Sequence, residues 1–123
     1  SENIRHTKKF VVALPSEDQK KTALDLGSVH GRDVGNKLQI KDVKTEKSQK
    51  FGLDVMSGAL AYFECELQDE MLFEEKGICL SKVVNVYVKD DSWDDKEECF
   101  NPGFKRTLHH VTGSTFCSGG ELV

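Results

Sequence analysis

The sequence lacks several features that would assign it quickly to a functional class. No apolar run approaches the ~20 residues that a membrane helix requires, and the first residues have neither the basic start nor the apolar stretch of a signal peptide. The 17 basic residues do not exceed the 21 acidic ones and are interspersed with them, which argues against a nucleic-acid phosphate backbone as a partner. We therefore expect a cytoplasmic protein that binds neither membrane nor nucleic acid.

Close cysteine pairs are also absent. The four cysteines are Cys65, Cys79, Cys99 and Cys117. No C-x-x-C and no nearby cysteine and histidine pair provides the spacing of a zinc site or a dithiol redox motif, so reduced thiols are expected. A pairing of Cys99 with Cys117 stays open, since both lie in the less regular C-terminal third. The neighbours His109 and His110 would point to opposite sides of a strand, which does not favour a metal site.

No arrangement of side chains indicates catalysis by the protein alone. Paired carboxylates, a nucleophile with an identifiable base and a G-x-G-x-x-G after a strand are all missing. The chain of 123 residues, 37% of them hydrophobic, has material for one core. We expect a single domain over residues 1–123.

The first third of the chain predicts a strand followed by a helix. The run FVVAL, Phe10–Leu14, is short, β-branched and closed by a proline, which is typical of a mostly buried strand. Ser16 and Gln19 have the spacing of a capping box, so we predict a helix from Glu17 to about Leu26. Residues 37–56 are polar with weak alternation, which predicts an extended or irregular surface segment.

Two longer strands follow. GALAYFECELQDEML alternates, and we assign Ala61, Phe63, Cys65 and Leu67 to the core side. GICLSKVVNVYVKDD alternates as well, and the two strands are expected to pair antiparallel through the acidic QDEMLFEEKG. SWDDKEECFNPGF is predicted to be a loop with its tryptophan as a packing residue, and the tail KRTLHHVTGSTFCSGGELV to hold one or two short strands. These elements indicate an α+β, mainly β fold with one or two short helices, as an antiparallel sheet or partial barrel.

The loop LGSVHGRDVGNK, Leu26–Lys37, allows two interpretations. In one it is a helix exit and surface loop whose glycines supply positive φ. In the other its glycines let backbone amides approach an anion, Arg32 and Lys37 bind a phosphate, and Asp33 braces Arg32. Composition alone favours the first.

Five segments in order resemble the second part of the flavin reductase-like, FMN-binding split-barrel family, most closely its flavoredoxin-like branch. The segments are FVVALPSEDQ, LGSVHGRDVGNK, ALAYFECELQDE, GICLSKVVNVYV and LHHVTGSTFCSGGE. They follow the family's F-V-V-N-L-P strand, its S-G-R-D-V-D-K helix end, its L-E-C and I-G-E-V-V strands, and its terminal H-x-x-G-x-x-[YF]-x-x-x-G-E. The resemblance covers nearly the whole chain and implies a partial split barrel with Greek-key antiparallel strands.

The resemblance implies a flavin site. It makes Lys37 the first FMN-binding candidate and Arg32 the second, places the Phe116 ring close to the flavin, and matches His110 to the terminal histidine of the motif. The expected function is an oxidoreductase that passes electrons from NAD(P)H through FMN to a flavin, ferric or protein acceptor, as a homodimer. Flavin and nicotinamide would be its small-molecule partners.

Two departures favour an alternative, a truncated, non-catalytic dimerising module that has lost flavin binding. The family's first half, which carries T-S-x-x-T type segments for the FMN phosphate and ring, has no counterpart ahead of the F-V-V strand. Lys76 and Gly77 stand where relatives often carry a histidine near the flavin. Under either hypothesis the unpaired strand edges of a partial barrel are expected to be covered by domain swapping or dimerisation.

Overall fold

The computed structural model of the chain describes residues 8–27, 43–121 and 123. Within these ranges the polypeptide is mainly strand, with two short α-helices, and all the strand pairs are antiparallel. The strands are β1 Lys9–Leu14, β2 Thr45–Lys47, β3 Asp54–Met56, β4 Ala61–Leu67, β5 Ser81–Val88, β6 Trp93–Asp94, β7 Cys99–Phe100, β8 Leu108–Thr112 and β9 Thr115–Ser118. The helices are α1 Lys20–Gly27 and α2 Glu70–Lys76.

A three-stranded sheet in the order β1-β4-β5 forms the centre of the molecule. The described strands form three further two-stranded pairs, β2-β3, β6-β7 and β8-β9, and they do not close a barrel. The predicted antiparallel pairing of the two long strands is confirmed, with a bulge in the register between Glu64 and Cys65. The α+β, mainly β fold class is likewise confirmed.

The prediction that β4 has one core face is wrong. Tyr62 and Glu64, assigned to the outer face, are both 0% exposed, as deeply buried as Ala61 at 1% and Cys65 at 3% on the other face. The reason is that β4 is the central strand, and the hairpin β2-β3 covers the side that was expected to meet water. Val55 and Ala59 form the hydrophobic cluster there together with Tyr62.

Helix α1 begins much as its sequence predicts. The capping box is present, and the side chain of Gln19 accepts a hydrogen bond from the backbone N–H of Ser16 at 3.0 Å. The first turn, Glu17–Gln19, is a tighter 3-10 turn, so the regular α-helix starts at Lys20 and ends at Gly27.

Helix α2 lies in the acidic connection between β4 and β5, for which the sequence analysis predicted no helix. Asp69 caps its start by accepting a hydrogen bond from the N–H of Leu72 at 2.9 Å. Gly77 ends it in the left-handed conformation at φ 68°, and its N–H donates to the carbonyl of Phe73 at 3.0 Å. The capping signals were therefore present in the sequence.

Two segments, one predicted to be extended or irregular and the other to be a loop, contain short strands. Part of residues 37–56 forms the hairpin β2-β3, whereas residues 37–42 lie outside the described ranges. In the predicted loop SWDDKEECFNPGF, β6 pairs with β7, and Trp93 packs edge-on against Phe100 with ring centroids 5.4 Å apart. All four cysteines are free thiols, including Cys99 and Cys117.

Candidate functional site

The C-terminal hairpin β8-β9 carries two of the predicted site residues. His110 and Phe116 are cross-strand partners, and their ring centroids lie 5.0 Å apart at an interplanar angle of 59°. The turn contains Gly113 at φ 51°, whose carbonyl oxygen accepts a hydrogen bond from Nε2 of His110 at 2.9 Å.

Lys20, a residue that the sequence analysis did not select, lies beside the same ring. Its Nζ is 5.8 Å from the centroid of Phe116, within the range of a cation–π contact. No carboxylate among the described residues forms an ion pair with Lys20, whereas the neighbouring Lys21 pairs with Asp25 at 3.0 Å. No local sequence pattern could have revealed this contact, because it joins the start of α1 to the last strand of the chain.

Backbone hydrogen bonds hold the start of α1 against the hairpin. The N–H of Glu17 donates to the carbonyl of Arg106 at 2.8 Å, and the N–H of Leu108 donates to the carbonyl of Pro15 at 3.2 Å. Between them, the fully buried Ser16 forms an isolated antiparallel bridge with Thr107. These backbone contacts around Ser16 and Thr107, which we call the joint, fix the position of Lys20 relative to Phe116.

A close approach of backbone adds to the joint. The N–H of Gly119 donates to the carbonyl of Thr107 at 2.8 Å. A Cβ at Gly119 would lie 2.6 Å from Oγ1 of Thr107, so a larger residue would force the chain end away from the joint.

The other basic side chains of this region are held by protein groups. Lys105 binds Asp18 at 2.9 Å, and hydrogen bonds from Lys105 and then from Ser16 lower the pKa of Asp18. Nη1 of Arg106 donates to the carbonyl of Gly119 at 3.3 Å. Lys20 is therefore the described cation of this region that is available to an incoming anion.

The other positions that the sequence analysis selected are Arg32, Lys37, Lys76 and Gly77. Arg32 and Lys37 lie outside the described residues, so their placement beside His110 and Phe116 stays a prediction. Lys76 is the last residue of α2 and Gly77 its C-cap, so the place where relatives often carry a histidine serves here to end a helix.

Three further observations concern the described residues. The part of the chain that the structure describes contains no cluster of three or more potential metal ligands. His109 is bound to Oγ1 of Thr107 through Nε2 at 2.7 Å. None of the described helices is long and apolar enough to cross a bilayer.

The sequence matches the family described as "Flavin reductase like domain" over residues 1–111, and the chain therefore belongs to that family. No curated protein sequence matches the chain.

Solved structures with the same fold come from several bacteria. An FMN-binding domain of a flavin reductases-like enzyme from Shewanella baltica superposes with a TM-score of 0.81 at 24% identity, over 99% of this chain and 65% of its own. Flavoredoxin of Desulfovibrio vulgaris gives 0.74 at 12% identity, over 99% and 64%. The NADH:FAD oxidoreductase of Streptomyces globisporus gives 0.68 at 16%, over 98% and 61%. The chain thus spans less than two thirds of the length of each.

The described residues at the hairpin bring an aromatic ring, an imidazole and a cation together. Phe116 is half-buried and supplies an aromatic wall, His110 lies against its ring, and Lys20 supplies a positive charge near the ring. An aromatic surface with an adjacent cation matches the chemistry of a planar ring system that carries a phosphate.

Proposed function

We propose that this chain is the C-terminal, flavin-contacting part of an FMN-dependent oxidoreductase that transfers electrons from NAD(P)H to a flavin, ferric or protein acceptor. The observation that carries the proposal is the arrangement of Phe116, His110 and Lys20 in a chain whose residues 1–111 match the flavin reductase like domain. When bound, the flavin would supply the hydride and electron chemistry, for which the side chains offer no substitute.

The protein's own residues would bind, orient and shield the cofactor. Phe116 would exclude water from one side of the isoalloxazine ring, and His110 would hold the Phe116 ring in place through its hydrogen bond to the Gly113 carbonyl. Lys20 would attract the phosphate or another anionic part of the ligand. We assign the same task to Lys37 first and to Arg32 second, on the resemblance of their loop to the family motif.

The reductant and the assembly belong to the same proposal. The name of the Streptomyces globisporus relative includes NADH, which supports a nicotinamide as electron donor. We propose a cytoplasmic homodimer that comprises residues 1–123 as one domain. Neither a nucleic acid nor a membrane is a proposed partner.

A second candidate is a dimerising module without flavin. One observation favours it: Lys76 and Gly77 end a helix where relatives often have a histidine. The two candidates differ in one property, the binding of FMN.

The test is a titration of FMN with the purified chain, followed by quenching of flavin fluorescence, with riboflavin as the ligand that lacks the phosphate. Saturable binding of FMN with one flavin per chain is expected. Lys20→Gln should weaken FMN binding about 10- to 150-fold, the effect of one charge-assisted hydrogen bond, and change riboflavin binding less. Lys21→Gln is the matched control, since Lys21 is the next residue and pairs with Asp25.

The outcomes separate the candidates. Binding that Phe116→Ala abolishes and Lys21→Gln leaves unchanged supports the flavin oxidoreductase, and NAD(P)H oxidation is then the next assay. FMN that stays fully fluorescent at millimolar protein contradicts it and favours the module without flavin.

A further inference from the structure

The ring of Phe116 has two polar neighbours among the described residues. The centroid of the His110 ring lies 5.0 Å from that of Phe116, and Nζ of Lys20 lies 5.8 Å from it. An ammonium group over an aromatic ring is attracted by the negative charge of the ring face. A flavin that stacks on Phe116 needs one face of the same ring, so it has to compete with these two neighbours.

Of the two neighbours, His110 is tied to the hairpin that carries Phe116. The two residues are cross-strand partners of β8 and β9. Nε2 of His110 is also bonded to the carbonyl oxygen of Gly113 at 2.9 Å, in the turn of the same hairpin. The imidazole therefore stays beside the Phe116 ring when a ligand arrives.

The side chain of Lys20 is free to leave. It is exposed, and within residues 8–27 and 43–121 its ammonium group has the Phe116 ring as a partner but no carboxylate in an ion pair. A lysine stem is flexible, so the ammonium group can swing off the ring while the joint keeps the start of α1 in place. Lys20 is thus the neighbour that a stacking ligand would displace.

Displacing Lys20 has a cost that depends on the ligand. An exposed cation–π contact changes an equilibrium constant by a factor of about 2 to 5, and a ligand that breaks the contact loses this factor. A phosphate on the ligand offers the displaced ammonium group a charge-assisted hydrogen bond, which is stronger than the contact it replaces. Riboflavin has no phosphate and offers no such replacement.

We propose that Lys20 is a specificity-determining residue that covers the Phe116 ring in the free protein and yields it to phosphorylated flavins in preference to riboflavin. The ligand class is a flavin with a phosphate or diphosphate, which includes FMN and FAD. The proposal rests on the proposed flavin site and adds to it a penalty for ligands without a phosphate. It requires one substitution to have opposite effects on two ligands.

The test measures the dissociation constants of FMN, FAD and riboflavin by isothermal titration calorimetry. In Lys20→Gln, riboflavin should bind about 2- to 5-fold more tightly than in the wild type, because the ring face is no longer covered, whereas FMN and FAD should bind more weakly. Lys20→Arg keeps a cation over the ring and should restore the wild-type preference. Lys21→Gln is the matched control and should also keep it, since Lys21 pairs with Asp25.

Proton NMR provides a readout that does not depend on affinity. Nuclear Overhauser effects between the ε-methylene protons of Lys20 and the ring protons of Phe116 are expected in the free protein. They should disappear at saturating riboflavin as well as at saturating FMN, because either ligand takes the ring face.

The outcomes separate this proposal from the proposed function. Riboflavin binding that Lys20→Gln leaves unchanged or weakens, while it weakens FMN binding, would overturn the role of Lys20 on the ring and leave the flavin site intact. Nuclear Overhauser effects that persist at saturating riboflavin would do the same. No binding of any of the three flavins to the wild type or to Lys20→Gln would overturn both.

Discussion

Replacing the buried carboxylate of Glu64 by an amide tests how the hairpin β2-β3 is held on the sheet. Glu64 is 0% exposed, and its two oxygens accept hydrogen bonds from the N–H of Lys50 at 2.8 Å, the N–H of Phe51 at 2.7 Å and the side-chain amide of Asn85 at 2.8 Å. Two backbone donors of the loop between β2 and β3 and one side-chain donor of β5 thus meet one anion on β4.

The Glu64→Gln substitution keeps the size of the side chain but leaves one acceptor oxygen for three donors. The new NH₂ group would face the N–H of Lys50 or Phe51, and that N–H would be left without an acceptor at a cost of about 1 to 3 kcal/mol. The remaining hydrogen bonds would be weaker because their acceptor is no longer charged. We expect the free energy of unfolding to fall by about 2 to 4 kcal/mol in urea denaturation at pH 7 followed by circular dichroism. Glu66→Gln, on the same strand and less buried, is the control and should change it by less than about 0.5 kcal/mol.

The pH dependence of stability gives a second readout of the same contact. Burial raises the pKa of Glu64, but hydrogen bonds from Asn85, Phe51, Lys50 and Ser48 outweigh it, so the pKa lies below the model-peptide value of 4.5. A carboxyl group with a lowered pKa in the folded state stabilises above its unfolded pKa. That stability is lost as the pH falls from about 4.5 through the folded value. The wild type should therefore lose more stability than Glu64→Gln below this pH. Equal stability of the two proteins at pH 7 would refute the reasoning.

Three further substitutions test the core and the predicted site. Leu67→Ala should lower the free energy of unfolding by about 2 to 5 kcal/mol, because Leu67 is 7% exposed; an unchanged urea midpoint would mean that its side chain is not packed. Tyr62→Phe removes the hydroxyl that donates to the carbonyl of Met56 at 2.7 Å and accepts from the N–H of Ala59 at 3.2 Å. It should lower the free energy of unfolding by about 1 to 3 kcal/mol in the same assay. An unchanged free energy of unfolding would mean that water replaces the hydroxyl. Lys37→Ala should weaken FMN binding by about 1 to 2 kcal/mol in a fluorescence titration, and an unchanged affinity would remove Lys37 from the site.

The elements with strong local signals were predictable. The capping box of Ser16 and Gln19, the strand Phe10–Leu14 and the antiparallel pairing of the two long strands all follow from short-range patterns, and all are present. Helix α2 had signals too, in Asp69 and Gly77, but its three apolar residues are consecutive and its length of seven residues gives little periodicity to detect.

The burial of β4 could not be read from its alternation. A pattern of period two predicts one buried face and one solvent-exposed face. A central strand that is covered on both sides can nevertheless carry polar residues on its second face when hydrogen bonds satisfy them. Glu64 and Tyr62 are such residues: their polar atoms bind backbone groups of loops that the sequence alone does not bring to the strand.

In the candidate site, too, some contacts follow from short-range patterns and others depend on tertiary structure. His110 and Phe116 are near in sequence and meet across a hairpin whose turn glycine was visible, whereas Lys20 reaches Phe116 through the joint between Ser16 and Thr107. Such a contact depends on tertiary structure, so composition and spacing give no indication of it.

The most direct test of the proposed flavin site is chemical-shift mapping by NMR as FMN is added to the isotopically labelled chain. The account predicts saturable shifts at the ring of Phe116, at His110 and at the ammonium end of Lys20, with no change at the Trp93 and Phe100 pair of the hairpin β6-β7. Shifts confined to other parts of the chain, or none at saturating FMN, would contradict it.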